Sequence, residues 1–316
     1  MAPSTRWTVA DLESQAGKTV IVTGGNSGVG YESALHLARK GAHVTIAVRS
    51  MERGEAAAAT IRQALAAKAG TATGSVTVAE ADMSDQASVA AFAEAFMAEH
   101  SSLDVLLNNA GVMMLPRSLT KDGQELQLAT NHLGHFALTG RLLPLLTATP
   151  GSRIVNVSSP AHRGCKDLSF DDWTLERSYT PIAAYARSKL ANLLFTRELA
   201  RRLAARGGET PVLAVTAQPG WAQTSLADKA TLNVPMTAFM KLFGIFLSHS
   251  AESGACPLLY AATEADVRPD DYWSPSLLDL KGPPAAGKKS AMATDDAAAA
   301  ALWVKSEEIT GVSYLG

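Results

Sequence analysis

Residues 18–30 read KTVIVTGGNSGVG. The first part, Lys18–Thr23, is a continuous apolar run, the pattern of a strand buried on both faces of a parallel sheet. The second part, Thr23-Gly24-Gly25-Asn26-Ser27-Gly28-Val29-Gly30, follows that strand and opens a helix. In this context Gly24 permits a tight turn, Gly28 lets backbone approach a pyrophosphate, and Gly30 allows close packing of helix on strand. The main chain from Asn26 through Ser27 and Val29 then offers unpaired N–H groups to an anion at the helix start. The spacing is TGxxxGxG, so strand, turn and helix in register carry more weight than the glycines alone.

On either side of this stretch, β-branched runs alternate with helix-length segments. The pattern predicts a helix over Tyr31–Lys40 ended by Gly41, and strand His43–Val48. Helix Met51–Lys68, strand Ser75–Ala81 and helix Gln86–His100, capped by Ser84, come next. Strand Leu103–Leu107 precedes a long helix from about Gln124 to Leu146. Strands Arg153–Val157 and Pro211–Thr216 flank helix Ile182–Arg206, which Gly207 and Gly208 terminate. Further on, Ser250–Glu264 reads as helix, Tyr272–Trp273 as a last short strand, Leu280–Lys289 as a loop and Asp295–Glu308 as a helix. This alternation predicts an α/β fold: a single-domain, doubly wound Rossmann arrangement, mostly parallel and seven-stranded, with helices on both faces. No linker divides residues 1–316.

Composition excludes several classes of function. A formal net charge of -2 with mixed signs provides no basic footprint for nucleic acid. The two cysteines, Cys165 and Cys256, are far apart, fit no metal spacing and suit a reducing compartment. Met1–Gly17 lacks a signal-type apolar run, and Val234–Leu247 is interrupted by Lys241, too short to span a bilayer. A cytoplasmic protein acting on a small molecule, without metal, nucleic acid or transmembrane segment, is expected. Self-association as a dimer or tetramer is left open.

In doubly wound sheets ligands bind at the carboxyl ends of strands, and several motifs fall there. The second strand ends Ala47-Val48-Arg49-Ser50, with no carboxylate to accept from a ribose 2′-OH. Arg49, assisted by Arg53, suits a 2′-phosphate instead, which favours NADP(H) over NAD(H). Asp82-Met83 follows the third strand, and Asp82 can accept from an adenine amino group. Asn109, Ala110 and Gly111 follow the fourth strand, where small residues let cofactor lie against backbone. Each of these motifs alone is also compatible with an Asx-type turn.

Tyr185-Ala-Arg-Ser-Lys189 lies near the start of a long helix, and residues four apart share a face. A phenol titrates near ~10, too high for efficient proton transfer at neutral pH, and a neighbouring ammonium lowers it. Ser158-Ser159 ends the fifth strand at the same edge. Asn131 lies inside a helix, where asparagine is a middling helix former.

TGGNSGVG, NNAG, Asn131, VNVSS, YARSK and the Gln218-Pro219-Gly220 turn together resemble the single-domain branch of the short-chain dehydrogenase/reductase family. The similarity covers nearly the whole chain and is closest to retinol-dehydrogenase-like and related bacterial oxidoreductases. The resemblance implies that Tyr185 is the general acid/base and that Ser159, rather than Ser158, polarises the carbonyl. It implies that Lys189 lowers the Tyr185 pKa and holds the nicotinamide ribose, while Asn131 holds a water that links Lys189 to solvent. Pro219, Gly220 and Thr224 are then expected on the nicotinamide side. Gln218 departs from the histidine or asparagine usual before Pro-Gly.

In this family Trp221–Leu247 forms a variable substrate lid, here at about residues 221–248. Met236, Phe239, Met240, Phe243 and Phe246 recur near helical spacing, so an apolar aldehyde or ketone, interconverted with its alcohol, is expected. Core packing or an oligomer interface would produce the same pattern. Three rival readings share some of these motifs. They are an NADP(H)-binding regulator without turnover, a nucleotide-sugar epimerase or dehydratase, and a light-dependent enzyme like protochlorophyllide reductase. The epimerases differ in glycine spacing and in carrying a larger C-terminal domain.

Overall fold

The computed structural model describes residues 6–67, 74–207, 212–220 and 250–316. Eight strands form one sheet in the order β3-β2-β1-β4-β5-β6-β7-β8. They are β1 (Thr19–Thr23), β2 (His43–Val48), β3 (Ser75–Glu80), β4 (Val105–Asn108), β5 (Arg153–Val157), β6 (Leu213–Ala217), β7 (Tyr272–Leu277) and β8 (Lys281–Ala286). Strands β1 to β7 pair in parallel, and β8 returns antiparallel to β7. The helices are α1 (Gly28–Arg39), α2 (Met51–Ala66), α3 (Gln86–Glu99), α4 (Gly134–Ala148), α5 (Pro181–Arg206), α6 (Ala251–Thr263) and α7 (Asp296–Thr310).

The apolar run of β1 shows why both faces are covered. Val20 and Val22 enter the core under α1, α2 and α6, while Ile21 enters the opposite core under α3, α4 and α5. Side chains alternate across a strand, so a strand with helices on both sides must be apolar at every position. All three residues are fully buried, each stabilising the fold by about 1.5–3 kcal/mol. Trp303 of α7 seals the second core by packing edge-on to Phe136 at 5.1 Å.

Four expectations are revised. Helix α1 begins at Gly28, three residues before the predicted start, directly beneath the glycine turn. Asp85, not Ser84, caps α3, accepting from the N–H groups of Ala87 and Ser88. The predicted helix 124–146 is a short turn at Leu126–Leu128, a π-helical turn at Ala129–Leu133, and then α4. Residues 281–286 are a strand rather than a loop, which makes eight strands instead of seven. Their sequence, KGPPAA, conceals this because proline is depleted in strands yet tolerated on an edge.

Candidate active site

Strand β1 sits between β2 and β4, so the connections leaving β1 and β4 run to opposite faces and open a crevice at their carboxyl ends. Gly24 turns the chain there with φ +67°, and a Cβ on it would lie 3.0 Å from Cα of Ala110. A Cβ on Gly30 would lie 2.4 Å from Nδ2 of Asn109, the amide that donates to the Thr23 carbonyl at 2.8 Å. The Thr23 hydroxyl accepts the main-chain N–H groups of Asn109 and Ala110, both at 2.9 Å. Ser27 precedes α1 without making a side-chain cap, which leaves the first N–H groups of that helix for an anion.

The crevice is a cleft of about 220 Å³ that opens to solvent. Among the residues expected to hold a cofactor, Gly24, Asn26, Ser27, Gly28, Gly30, Arg49, Asp82, Met83, Asn109, Ala110 and Gly111 line it. Val29, Tyr185, Lys189, Pro219 and Gly220 do not; the Val29 side chain is buried in the core beneath α1. Arg49 and Arg53 are both exposed on the cleft wall beside Ser50. Asp82 forms an Asx turn, its Oδ1 accepting from the N–H and hydroxyl of Ser84 at 2.9 and 2.7 Å. Pro219 and Gly220 follow β6 further along the same sheet edge. There Gln218 bridges its own turn to the β7–β8 turn, accepting from Gly220 N–H at 2.6 Å and donating to the Asp279 carbonyl at 2.8 Å. Thr224, the lid and Gly208 lie outside the described residues.

Thr180 caps α5 and Pro181 takes its first position, setting Tyr185 and Lys189 one turn apart on the buried side. Tyr185 is 9% and Lys189 5% exposed. Ser159 caps a 3-10 turn at Pro160–Gly164, its hydroxyl accepting from the Ala161 N–H at 3.2 Å, and lies close enough to the Tyr185 phenol to act on its charge. Lys189 Nζ donates to the Val157 carbonyl at 3.1 Å and lies 5.7 Å from the Tyr185 ring centre. A Cβ on Gly111 would be 3.7 Å from that Nζ, so the lysine tip lies directly behind this residue of the cleft wall. Burial pushes the Tyr185 phenol up, with the Ser159 hydroxyl opposing, and holds Lys189 down at about 8.

Asn131 occupies the π-helical turn, and its amide is fully engaged by protein. Its Oδ1 accepts from Val112 N–H at 2.8 Å, and its Nδ2 donates to the Val112 carbonyl at 2.9 Å and Ser188 Oγ at 2.8 Å. The side chain thus braces the segment at Val112, just beyond Gly111, against α5. The sequence reading did not single out the Thr23 hydroxyl, Thr130 or His135. Thr130 lines the cleft with a buried Oγ that has no hydrogen-bond partner among the described residues. No local signal marks these three, because each acquires its role from residues distant in sequence.

The short chain dehydrogenase family profile matches residues 18–234. The chain belongs to the short-chain dehydrogenase family. It is 40% identical over 300 residues to retinol dehydrogenase 12 of Homo sapiens, covering 94% of this chain and 88% of that one. A crystal structure of an uncharacterized Mycobacterium paratuberculosis protein is 41% identical, with TM-score 0.80 over 98% of this chain and 99% of that one. A Burkholderia cenocepacia short-chain dehydrogenase in complex with NADP is 25% identical, with TM-score 0.59 over 78% and 91%. Membership makes the chain an NAD(P)-dependent dehydrogenase/reductase. The cleft fits a nicotinamide dinucleotide: the uncapped start of α1 faces it, and a Cβ at Gly24 or Gly30 would close the cradle. No helix among the described residues is long and apolar enough to cross a membrane.

Proposed function

We propose that this enzyme interconverts an apolar aldehyde or ketone and its alcohol, using NADP(H), with Tyr185 as the acid/base. The observation that carries this reading is the meeting of Ser159, Tyr185 and Lys189 beside the cofactor cleft. In reduction the Ser159 hydroxyl donates to the carbonyl oxygen and the Tyr185 phenol gives it a proton. In oxidation Tyr185 takes the proton back. A bound nicotinamide supplies or accepts the hydride. Gly24, Asn26, Ser27, Gly28 and Gly30 would hold its pyrophosphate. Asp82 and Met83 would hold the adenine end, while Asn109, Ala110, Gly111, Lys189, Pro219, Gly220 and Thr224 would hold the nicotinamide half.

The exposed guanidinium of Arg49 on the cleft wall supports NADP(H), since its fork matches phosphate oxygens and no carboxylate competes there. The apolar substrate rests on the Trp221–Leu247 sequence and agrees with the retinol dehydrogenase names of the relatives. Residues 1–316 are taken as one domain with a lid at about 221–248. The test follows NADPH and NADH consumption against a panel of aldehydes, ketones and quinones, retinal included, with Tyr185→Phe as control. Full activity in that variant would overturn the acid/base assignment.

A further inference from the structure

We propose that His135 is a positioning residue, a neutral imidazole protonated on Nδ1 that ties the glycine loop to the Asn131 turn. It rests on the reading of the Thr23–Gly30 loop as the cofactor cradle. The hydrogen-bond directions follow from counting donors. A hydroxyl has one hydrogen to give and two lone pairs to receive with. Thr23 Oγ already receives the N–H groups of Asn109 and Ala110, so its hydrogen must point outward. His135 Nε2 lies 2.9 Å away, and the Leu107 carbonyl is longer at 3.4 Å.

A proton on Nε2 would bring a third donor to an oxygen with no lone pair left. Nε2 therefore accepts from Thr23, and in a neutral ring the proton sits on Nδ1. From there it donates to the Asn131 carbonyl at 3.1 Å. The ring is fully enclosed on the first turn of α4. Lys189 of α5 is the charged group that opposes a second proton on it, and His132, one turn earlier, is held neutral in part by His135 itself. Burial also holds the ring down at about 4, so it stays neutral across the physiological range.

The consequence is a directed chain running from the β1 terminus to the catalytic helix. Thr23 fixes Gly24 and the Asn109-Ala110 loop, His135 fixes the π-helical turn, and Asn131 fixes Val112 and Ser188. Ser188 in turn donates to the Tyr185 carbonyl at 2.8 Å. His135 touches neither cofactor nor substrate in this scheme; it keeps two loops that do so in mutual register.

Two measurements test the proposal, neither requiring turnover. Nitrogen-15 NMR of the cofactor-free protein at neutral pH, assigned by the signal lost in His135→Gln, should show Nδ1 protonated and Nε2 bare. The opposite tautomer would overturn the proposal. Fluorescence titration with NADPH should show Kd at least fivefold weaker in His135→Phe and in Thr23→Val. The double variant should be no worse than about twofold beyond the weaker single variant. Independent effects that multiply, or unchanged affinity in both singles, would sink it. Thr23→Ser keeps the hydroxyl and should restore binding, and together with the wild-type spectrum it needs no destabilised protein. Failure of the acid/base reading through Tyr185→Phe would leave both readouts unaltered.

Discussion

The Ser158 hydroxyl donates to the main-chain carbonyl of Lys189 at 2.7 Å, while the hydroxyl of Ser159, the next residue, caps the following turn and acts on the Tyr185 phenol. The two adjacent serines have separate tasks: one fastens α5 to the end of β5, and the other faces the reacting group. Ser159→Ala should therefore cut kcat by roughly 10²-fold or more, with a stability loss of about 1 kcal/mol from the lost cap. Ser158→Ala should lower stability by about 1 kcal/mol and keep most of the turnover. Steady-state kinetics beside thermal unfolding of both variants would separate them, and the reverse ranking would exchange the assignments.

The lowered Lys189 pKa gives the pH profile a direction. Below about pH 8 the amine carries its proton and can donate to a cofactor ribose; above it that proton is lost. The KM for NADPH in the reductive direction should rise above about pH 8. Oxidation should gain with pH, because the raised Tyr185 phenol must first lose its proton to act as base. Lys189→Arg stays charged throughout, so its KM should be flat across that range.

Arg49 stands exposed on the cleft wall, and residues 47–50 at its end of β2 include no carboxylate. A charge-assisted contact to a 2′-phosphate is worth ~1.5–3 kcal/mol. Arg49→Ala should thus weaken NADPH about tenfold to a hundredfold and leave NADH nearly unchanged. Arg49→Asp should reverse the preference. Equal losses for both cofactors would show that Arg49 does not read the phosphate.

Gly30 has no room for a methyl group, because Asn109 Nδ2 lies 2.4 Å and the Gly24 carbonyl oxygen 2.6 Å from where it would sit. Gly30→Ala must displace the Asn109 amide, breaking its bond to Thr23. Overpacking of this kind costs about 1–3 kcal/mol. The expected result is a lower Tm together with lost NADPH affinity, read by calorimetry and titration.

His132 and His135 are buried neutral, held down at about 3 and about 4 against an ordinary value of 6.5. Above pH 6.5 neither the folded nor the unfolded chain protonates them, so their full contribution to stability is present. As pH falls below 6.5 the unfolded chain takes up protons that the native state refuses. Each ring then removes ~1.4 kcal/mol per pH unit until its folded pKa is reached. Urea unfolding between pH 6.5 and 4 should show this slope, reduced by one proton's worth in His132→Gln.

The parts of this site that could be read in the sequence are local ones. The β1 run and the glycine turn are adjacent in the chain, and Tyr185 and Lys189 share a helix face by spacing alone. What could not be read depends on distant partners. The π-helical turn at Asn131 exists because its amide reaches Val112, 19 residues away, and His135 finds Thr23 across 112 residues. The elevated phenol of Tyr185 follows from burial, which no spacing reports. Strand β8 was concealed because its prolines speak against a strand until an edge position is known. Asp279, in the turn before it, accepts from Arg163 Nη2 and Ser274 Oγ and, through its carbonyl, from Gln218. The turn thereby holds both the segment after Ser159 and the Pro219-Gly220 turn in place.

Strand β8 also ends the sheet chemically. Amide hydrogens along a strand point alternately inward and outward, so of the consecutive Pro283 and Pro284 one removes a donor from the outer rim. An outside chain that tried to add a ninth strand there would meet a gap in the row of donors. Edge-to-edge pairing is thereby discouraged on this side of the sheet.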